Sequence, residues 1–142
     1  MVRVYMLNPP FALNFNRDLR GEGMSTRAGT LYYPIWLSYA AGVLSRHHVV
    51  KLVDAVAKGW SLNDVCLDVS NFHPDIIVID TNFASLNNDQ KVAGALKNET
   101  NAIITLVGPP ASQFTEKILQ CGHVDIVAKY EYDYTLLEIA DM

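Results

Sequence analysis

Three charged residues stand where an α/β protein would carry chemistry. Asp54, Asp80 and Lys129 each follow an apolar run that reads as a strand. A phospho-accepting receiver domain uses such a trio, with two more acids after its first strand to hold a magnesium ion. Asn8-Pro9-Pro10 occupies that place here, so the trio lacks its metal ligands. Other chemistries are missing too. Gly21 and Gly23 have GxG spacing but no helix follows them, and there is no Walker loop, nucleophile elbow or HExxH. Cys66 and Cys121 have no metal-ligand spacing and read as reduced thiols packed as small hydrophobes, which places the chain in the cytoplasm. His47-His48 reads as a solvated turn. No catalytic residue and no metal ligand is assigned. What remains is a set of short polar and turn-forming residues at strand ends: Asn8, Pro9 and Pro10, then Thr81, Asn82 and Ser85, then Gly108 and Pro109. Such residues bind rather than react.

The elements that position them alternate. Residues 73–110 are the centre of the pattern. Ile76-Ile77-Val78-Ile79-Asp80 is an unbroken β-branched run before a polar stop, as in a strand buried on both faces. Residues 86–100 read as a helix, with Val92, Ala95 and Leu96 on its apolar stripe. Residues 102–107 form a second buried strand, stopped by Gly108-Pro109-Pro110. This is a right-handed βαβ unit.

Three more strands and four more helices surround it. Residues 2–7 form the first strand. Residues 11–33, with Gly21, Gly23, Gly29 and five charges, follow no period and read as a long mobile loop at the ligand edge. Pro34 opens a helix over 35–46, where Gly42 brings it close to the sheet. Residues 49–53 are the second strand and 55–60 a loop. Ser61 caps a helix over 62–72, with Asp64 completing a capping box. A helix over 116–120, a strand over 124–128 and a helix over 134–141 complete the chain. Tyr130, Tyr132 and Tyr134 are expected to pack around that last helix.

Five strand–helix repeats specify an α/β fold: a three-layer, flavodoxin-like (Rossmann-like) sandwich on a five-stranded parallel sheet of order 2-1-3-4-5. Its switch point falls between the first and third strands. Pro9, Pro10, Thr81, Asn82 and Ser85 are expected to face one crevice there.

At 142 residues the chain is one domain with room for a proper core. A net charge of −4 argues against a nucleic-acid backbone as partner. No apolar run approaches the ~20 residues needed to cross a membrane, and residues 1–7 lack the cleavage region of a signal peptide.

Motifs in order resemble one family. Asn8-Pro9-Pro10 ends the first strand. A Pro-x-x-Leu-x-Tyr helix spans 34–44, His47-His48-Val49-Val50 leads into the second strand, and Asp54-Ala55 ends it. Pro74-Asp75-Ile76-Ile77 opens the third. Together these resemble the N-terminal cobalamin-binding domain of cobalamin-dependent radical S-adenosylmethionine proteins, the group that includes anaerobic magnesium-protoporphyrin monomethyl ester cyclases and many methyltransferases. The resemblance covers nearly the whole chain. It implies a cobalamin-binding module, not catalytic alone, with the corrin across Asn8, Pro9, Pro10, Thr81, Asn82, Ser85, Gly108, Pro109 and Glu131. It also implies a downstream radical domain carrying the [4Fe-4S] cluster and S-adenosylmethionine, because the three-cysteine cluster motif is absent here. On this reading residues 1–142 are a piece of a longer protein. The family's Gly-Gly-Pro-His is Gly108-Pro109-Pro110-Ala111 here, and its Gly-Glu-Gly-Glu is Tyr130-Glu131-Tyr132-Asp133. Those departures define the alternative: a degenerate module of the same fold that binds no cobalamin and acts by packing against its partner domain. No histidine follows the first strand, so a bound cobalamin is expected to lack a protein histidine on cobalt.

Overall fold

A computed structural model describes residues 1–17 and 23–142. Gly21 therefore lies outside the described residues, as do Asp18, Arg20 and Glu22 of the expected loop. In chain order the elements are β1 (Arg3–Asn8), β2 (Phe15–Asn16), β3 (Met24–Ser25), α1 (Ile35–Leu44), β4 (Val49–Asp54), α2 (Ala55–Lys58) and α3 (Leu62–Phe72). They continue with β5 (Ile76–Asp80), α4 (Leu86–Glu99), β6 (Ile103–Val107), α5 (Pro109–Gln113), α6 (Thr115–Gln120), β7 (Ile126–Val127) and α7 (Asp133–Asp141).

Five strands form one sheet of order β4-β1-β5-β6-β7, and every pair in it is parallel. Counted along the chain, that is the expected 2-1-3-4-5. β5 lies at the centre with all five residues buried, as its unbroken apolar run requires. Alternation along each strand divides the core. Tyr5, Leu7, Ile77, Ile79, Ile104 and Leu106 pack on one face against Val65 and Val69 of α3, Val92 and Leu96 of α4 and Ile118 of α6. Val4, Met6, Ile76, Val78 and Val107 pack on the other face against Leu37, Ala40 and Leu44 of α1 and Leu136 and Ala140 of α7. This is a three-layer flavodoxin-like sandwich. No helix among the described residues is long and apolar enough to cross a membrane.

Local chemistry explains the helix ends. Ser61 and Asp64 form the expected capping box: Ser61 Oγ accepts from the Asp64 N–H at 3.3 Å and Asp64 Oδ2 accepts from the Ser61 N–H at 2.8 Å. On α3, Asp68 accepts from the Tyr5 hydroxyl at 2.7 Å and from Lys51 Nζ at 2.6 Å. Burial, and then this hydrogen bond, push the Tyr5 hydroxyl's pKa up, so it stays protonated. Burial works against the Asp68 charge, yet Lys51 and Tyr5 hold its carboxyl below the ordinary range.

The structure corrects several sequence expectations. The expected loop over 11–33 contains an antiparallel hairpin, β2 with β3, and it buries Phe15, Asn16 and Arg17. A loop over 55–60 is replaced by α2, because Asp54 Oδ1 accepts from the Ala57 N–H at 3.0 Å and Gly59 closes the turn at φ +64. α5 starts directly after β6, since Pro109 suits a first helical position. The fifth strand shrinks from 124–128 to two paired residues. On α4, Ala93 is buried and Ala95 only half-buried. A Cβ on Gly42 would meet nothing within 4 Å, so that glycine is not what brings α1 to the sheet. Tyr132 packs in the core as expected, but Tyr130 and Tyr134 are exposed.

Candidate functional site

Parallel strands send their C-terminal ends to one edge, and the candidate site is there. The sequence-derived site residues all reach this edge, but they divide into two groups.

The first group lies under the segment that follows β1. Asn8, Asn82 and Ser85 are buried, and their polar atoms are taken up inside the chain. The occupant of the β1–β5 crevice is Arg17. Its Nη1 donates to Asn8 Oδ1 at 2.8 Å and to the Pro9 carbonyl at 2.6 Å. Its Nε donates to Ser85 Oγ at 3.2 Å, and its Nη2 pairs with Asp89 Oδ1 at 2.8 Å. Asp89 lies on the buried stripe of α4, and its other oxygen accepts from Thr81 Oγ1 at 2.8 Å and Ser85 Oγ at 2.6 Å. Asn88 Nδ2 donates to the Pro10 carbonyl at 2.9 Å. Asn82 Oδ1 accepts from the Gly23 N–H at 3.0 Å, and Asn82 Nδ2 donates to the Arg17 carbonyl at 3.3 Å. The Arg17 guanidinium also lies 5.7 Å from the Phe11 ring centroid and 5.5 Å from that of Phe15. A buried ion pair is tolerated only when its remaining donors and acceptors are met, and this one is dense with partners.

The second group faces open space. Thr81, Gly108, Pro109 and Glu131 line a cleft of about 680 Å³, within the usual range for small-molecule sites. Trp36 and Tyr39 of α1 form one wall, their rings edge to face at 6.1 Å. Phe83, itself edge to face with Phe114 at 6.2 Å, and Tyr130 contribute further rings. Polar groups come from Arg17, Asp80, Ser112, Gln113 and Asp133. Burial, and then the neighbouring Glu131 charge, raise the Asp133 carboxyl above the ordinary range.

Two backbone features shape this cleft. Gly108 takes φ +107 and ψ 171, a conformation confined to glycine, and an added Cβ would stand 2.3 Å from the Thr81 carbonyl oxygen. Tyr130 takes φ +57, in the left-handed region that favours glycine, while its N–H donates to Ser112 Oγ at 2.8 Å. Strain of this kind concentrates at functional sites. Here it projects an exposed ring at the cleft where the resembled family has glycine.

The four histidines sit elsewhere. His47 and His48 precede β4, His73 precedes β5 and His123 precedes β7, so all lie toward the opposite edge of the sheet. Among the described residues, no group of three or more histidine, cysteine or acidic side chains is placed to hold a metal ion.

The fold has solved counterparts. Over 98% of its length the chain matches 18% of the chain of OxsB, a cobalamin-dependent S-adenosylmethionine radical enzyme. The TM-score is 0.72 with aqua-cobalamin bound and 0.71 with aqua-cobalamin and S-adenosylmethionine bound, at 15% and 16% identity. The chain has the fold of a segment of OxsB. The TM-score against apo OxsB is 0.63. At these identities the likeness is one of fold. An uncharacterized methyltransferase of Pyrococcus horikoshii, PH0819, is 28% identical over 115 residues. Those residues are 80% of this chain and 25% of that protein, so the chain spans about a quarter of its curated relative. No family model matches the chain. The family resemblance drawn from the strand-end motifs thus agrees with both a sequence relative and a structural one.

Arg17, Asp89, Trp36 and Tyr39 were not among the sequence-derived site residues. Asp89 carried a usable signal, because it falls three, four and seven residues before Val92, Ala93 and Leu96. A carboxylate on a buried stripe demands a cation.

Proposed function

We propose that this chain binds cobalamin in the cleft between α1, α5 and the start of α7, as a non-catalytic module of a radical S-adenosylmethionine enzyme of methyltransferase or cyclase type. The observation that carries the reading is the cleft itself: an aromatic-walled, polar-edged opening at the C-terminal edge of the sheet, in a fold shared with OxsB. A corrin is a broad, flat, largely apolar ring edged with amides. Trp36, Tyr39, Phe83 and Tyr130 suit its faces, while Ser112, Gln113 and Glu131 suit amide groups. The residues present therefore fit the group, which when bound supplies a cobalt centre for methyl transfer or radical chemistry. The iron–sulfur cluster and S-adenosylmethionine belong, on this reading, to a separate domain of the longer protein.

An absorption titration with hydroxocobalamin tests the proposal. Saturable binding well below ~100 μM is expected, with no spectral sign of a protein imidazole on cobalt, because the histidines lie toward the other edge. Absence of binding at ~100 μM, in this chain and in the full-length protein, favours a degenerate packing module instead.

A further inference from the structure

We propose that Arg17 and Asp89 are a positioning pair: their buried contact seats the segments 9–17 and 23–33 across the β1–β5 crevice and so sets the ligand cleft on the β5–β6 side. The inference deepens the cobalamin reading and rests on it for the ligand, but not for the seating. Three observations carry it. The switch-point crevice, where a flavodoxin-like fold ordinarily receives its ligand, is filled by the Arg17 side chain, which is 1% exposed, bonded to β1, to α4 and to the turn between β5 and α4. Asp89 is fully buried and serves Arg17, Thr81 and Ser85 together, so one carboxylate ties this segment to the turn after β5, while Arg17 itself bonds Asn8 at the end of β1. Arg17 also lines the open cleft, so the seated side chain is itself part of the site's lining. The hairpin beyond it depends on the same seating. The Gly23 N–H bonds Asn82, the Asn82 side chain bonds the Arg17 carbonyl, and the Tyr32 N–H bonds Asn16 Oδ1 at 2.7 Å.

Site-resolved amide exchange on the whole chain tests the seating, with Arg17→Met as the first variant and Asp89→Asn as the second. Breaking a buried pair commonly shifts a local equilibrium by ~100-fold or more. In either variant the Gly23 and Tyr32 amides should exchange ~100-fold faster, while those of Ile77 to Ile79 in β5 hold their protection. Should Asp89→Asn fail to fold, Arg17→Met still decides, since it removes the seated side chain rather than its buried partner. Unchanged protection at Gly23 and Tyr32 in Arg17→Met overturns the seating, as does a wild type unprotected there. Hydroxocobalamin titration supplies the second arm. A rise in Kd of ~10-fold or more in Arg17→Met supports the pair as the setter of the cleft. An unchanged Kd beside lost protection overturns that role. A wild type that binds no cobalamin defeats the functional reading, and the exchange arm still judges the pair.

Discussion

Asp89→Ala should cost about 3–5 kcal/mol of folding stability, the loss typical of removing one member of a buried ion pair. The argument is one of desolvation rather than attraction. In the native chain Asp89 accepts from Arg17, Thr81 and Ser85, and Asn88 Nδ2 lies 3.1 Å from it. Alanine leaves the guanidinium buried without its counter-charge and two hydroxyls short of an acceptor. A domain of this size has roughly 5–15 kcal/mol in hand, so about a fifth or more of its stability is at stake. Urea unfolding gives the measurement: the midpoint should fall by about 2 M at an unchanged slope, taking a slope of about 2 kcal/mol per molar. A midpoint shift under about 0.5 M would mean that the pair contributes no more than a surface contact.

Gly108→Ala should cost about 2–5 kcal/mol, from backbone strain and overpacking together. Two independent obstacles meet there. At φ +107 with extended ψ, a side chain clashes with its own backbone. The new Cβ would also press at 2.3 Å on the Thr81 carbonyl. That carbonyl has little freedom to retreat, because the Thr81 N–H is bonded to the Val107 carbonyl at 3.0 Å and its hydroxyl is held by Asp89. Gly122→Ala is the control. Its φ is +76, but nothing lies within 4 Å of the added Cβ, so only the strain remains, about 1–2 kcal/mol. Equal losses in the two variants would place the whole Gly108 effect in the backbone and none in the contact with Thr81.

Much of the scaffold could be read without coordinates. Unbroken β-branched runs such as Ile76–Asp80 specify buried parallel strands, and the strand–helix alternation then leaves few topologies. The short helices were harder. α2 depends on a cap from Asp54, which also ends a strand, and α5 begins on prolines that equally mark a turn. Least legible was the stretch after β1. Its hairpin pairs only two residues a side, so no periodicity announces it. Arg17 looks like one loop charge among five until Asp89, 72 positions away, is placed beside it. The candidate site divides along the same line. Gly108 and Pro109 were visible as strand-end residues and Glu131 through the family resemblance, and all three line the open cleft. Asn82 and Ser85 were likewise visible at a strand end, yet they are spent on internal hydrogen bonds. Wall residues such as Trp36 and Tyr39 could not be told from helix packing by spacing alone.

The most direct measurement is a crystal structure of the chain grown with hydroxocobalamin. The corrin is expected against Trp36, Gly108 and Tyr130, with no histidine on cobalt and the Arg17–Asp89 contact intact. A corrin seated in the β1–β5 crevice with Arg17 displaced, or one held at the opposite edge near His73, would contradict the account.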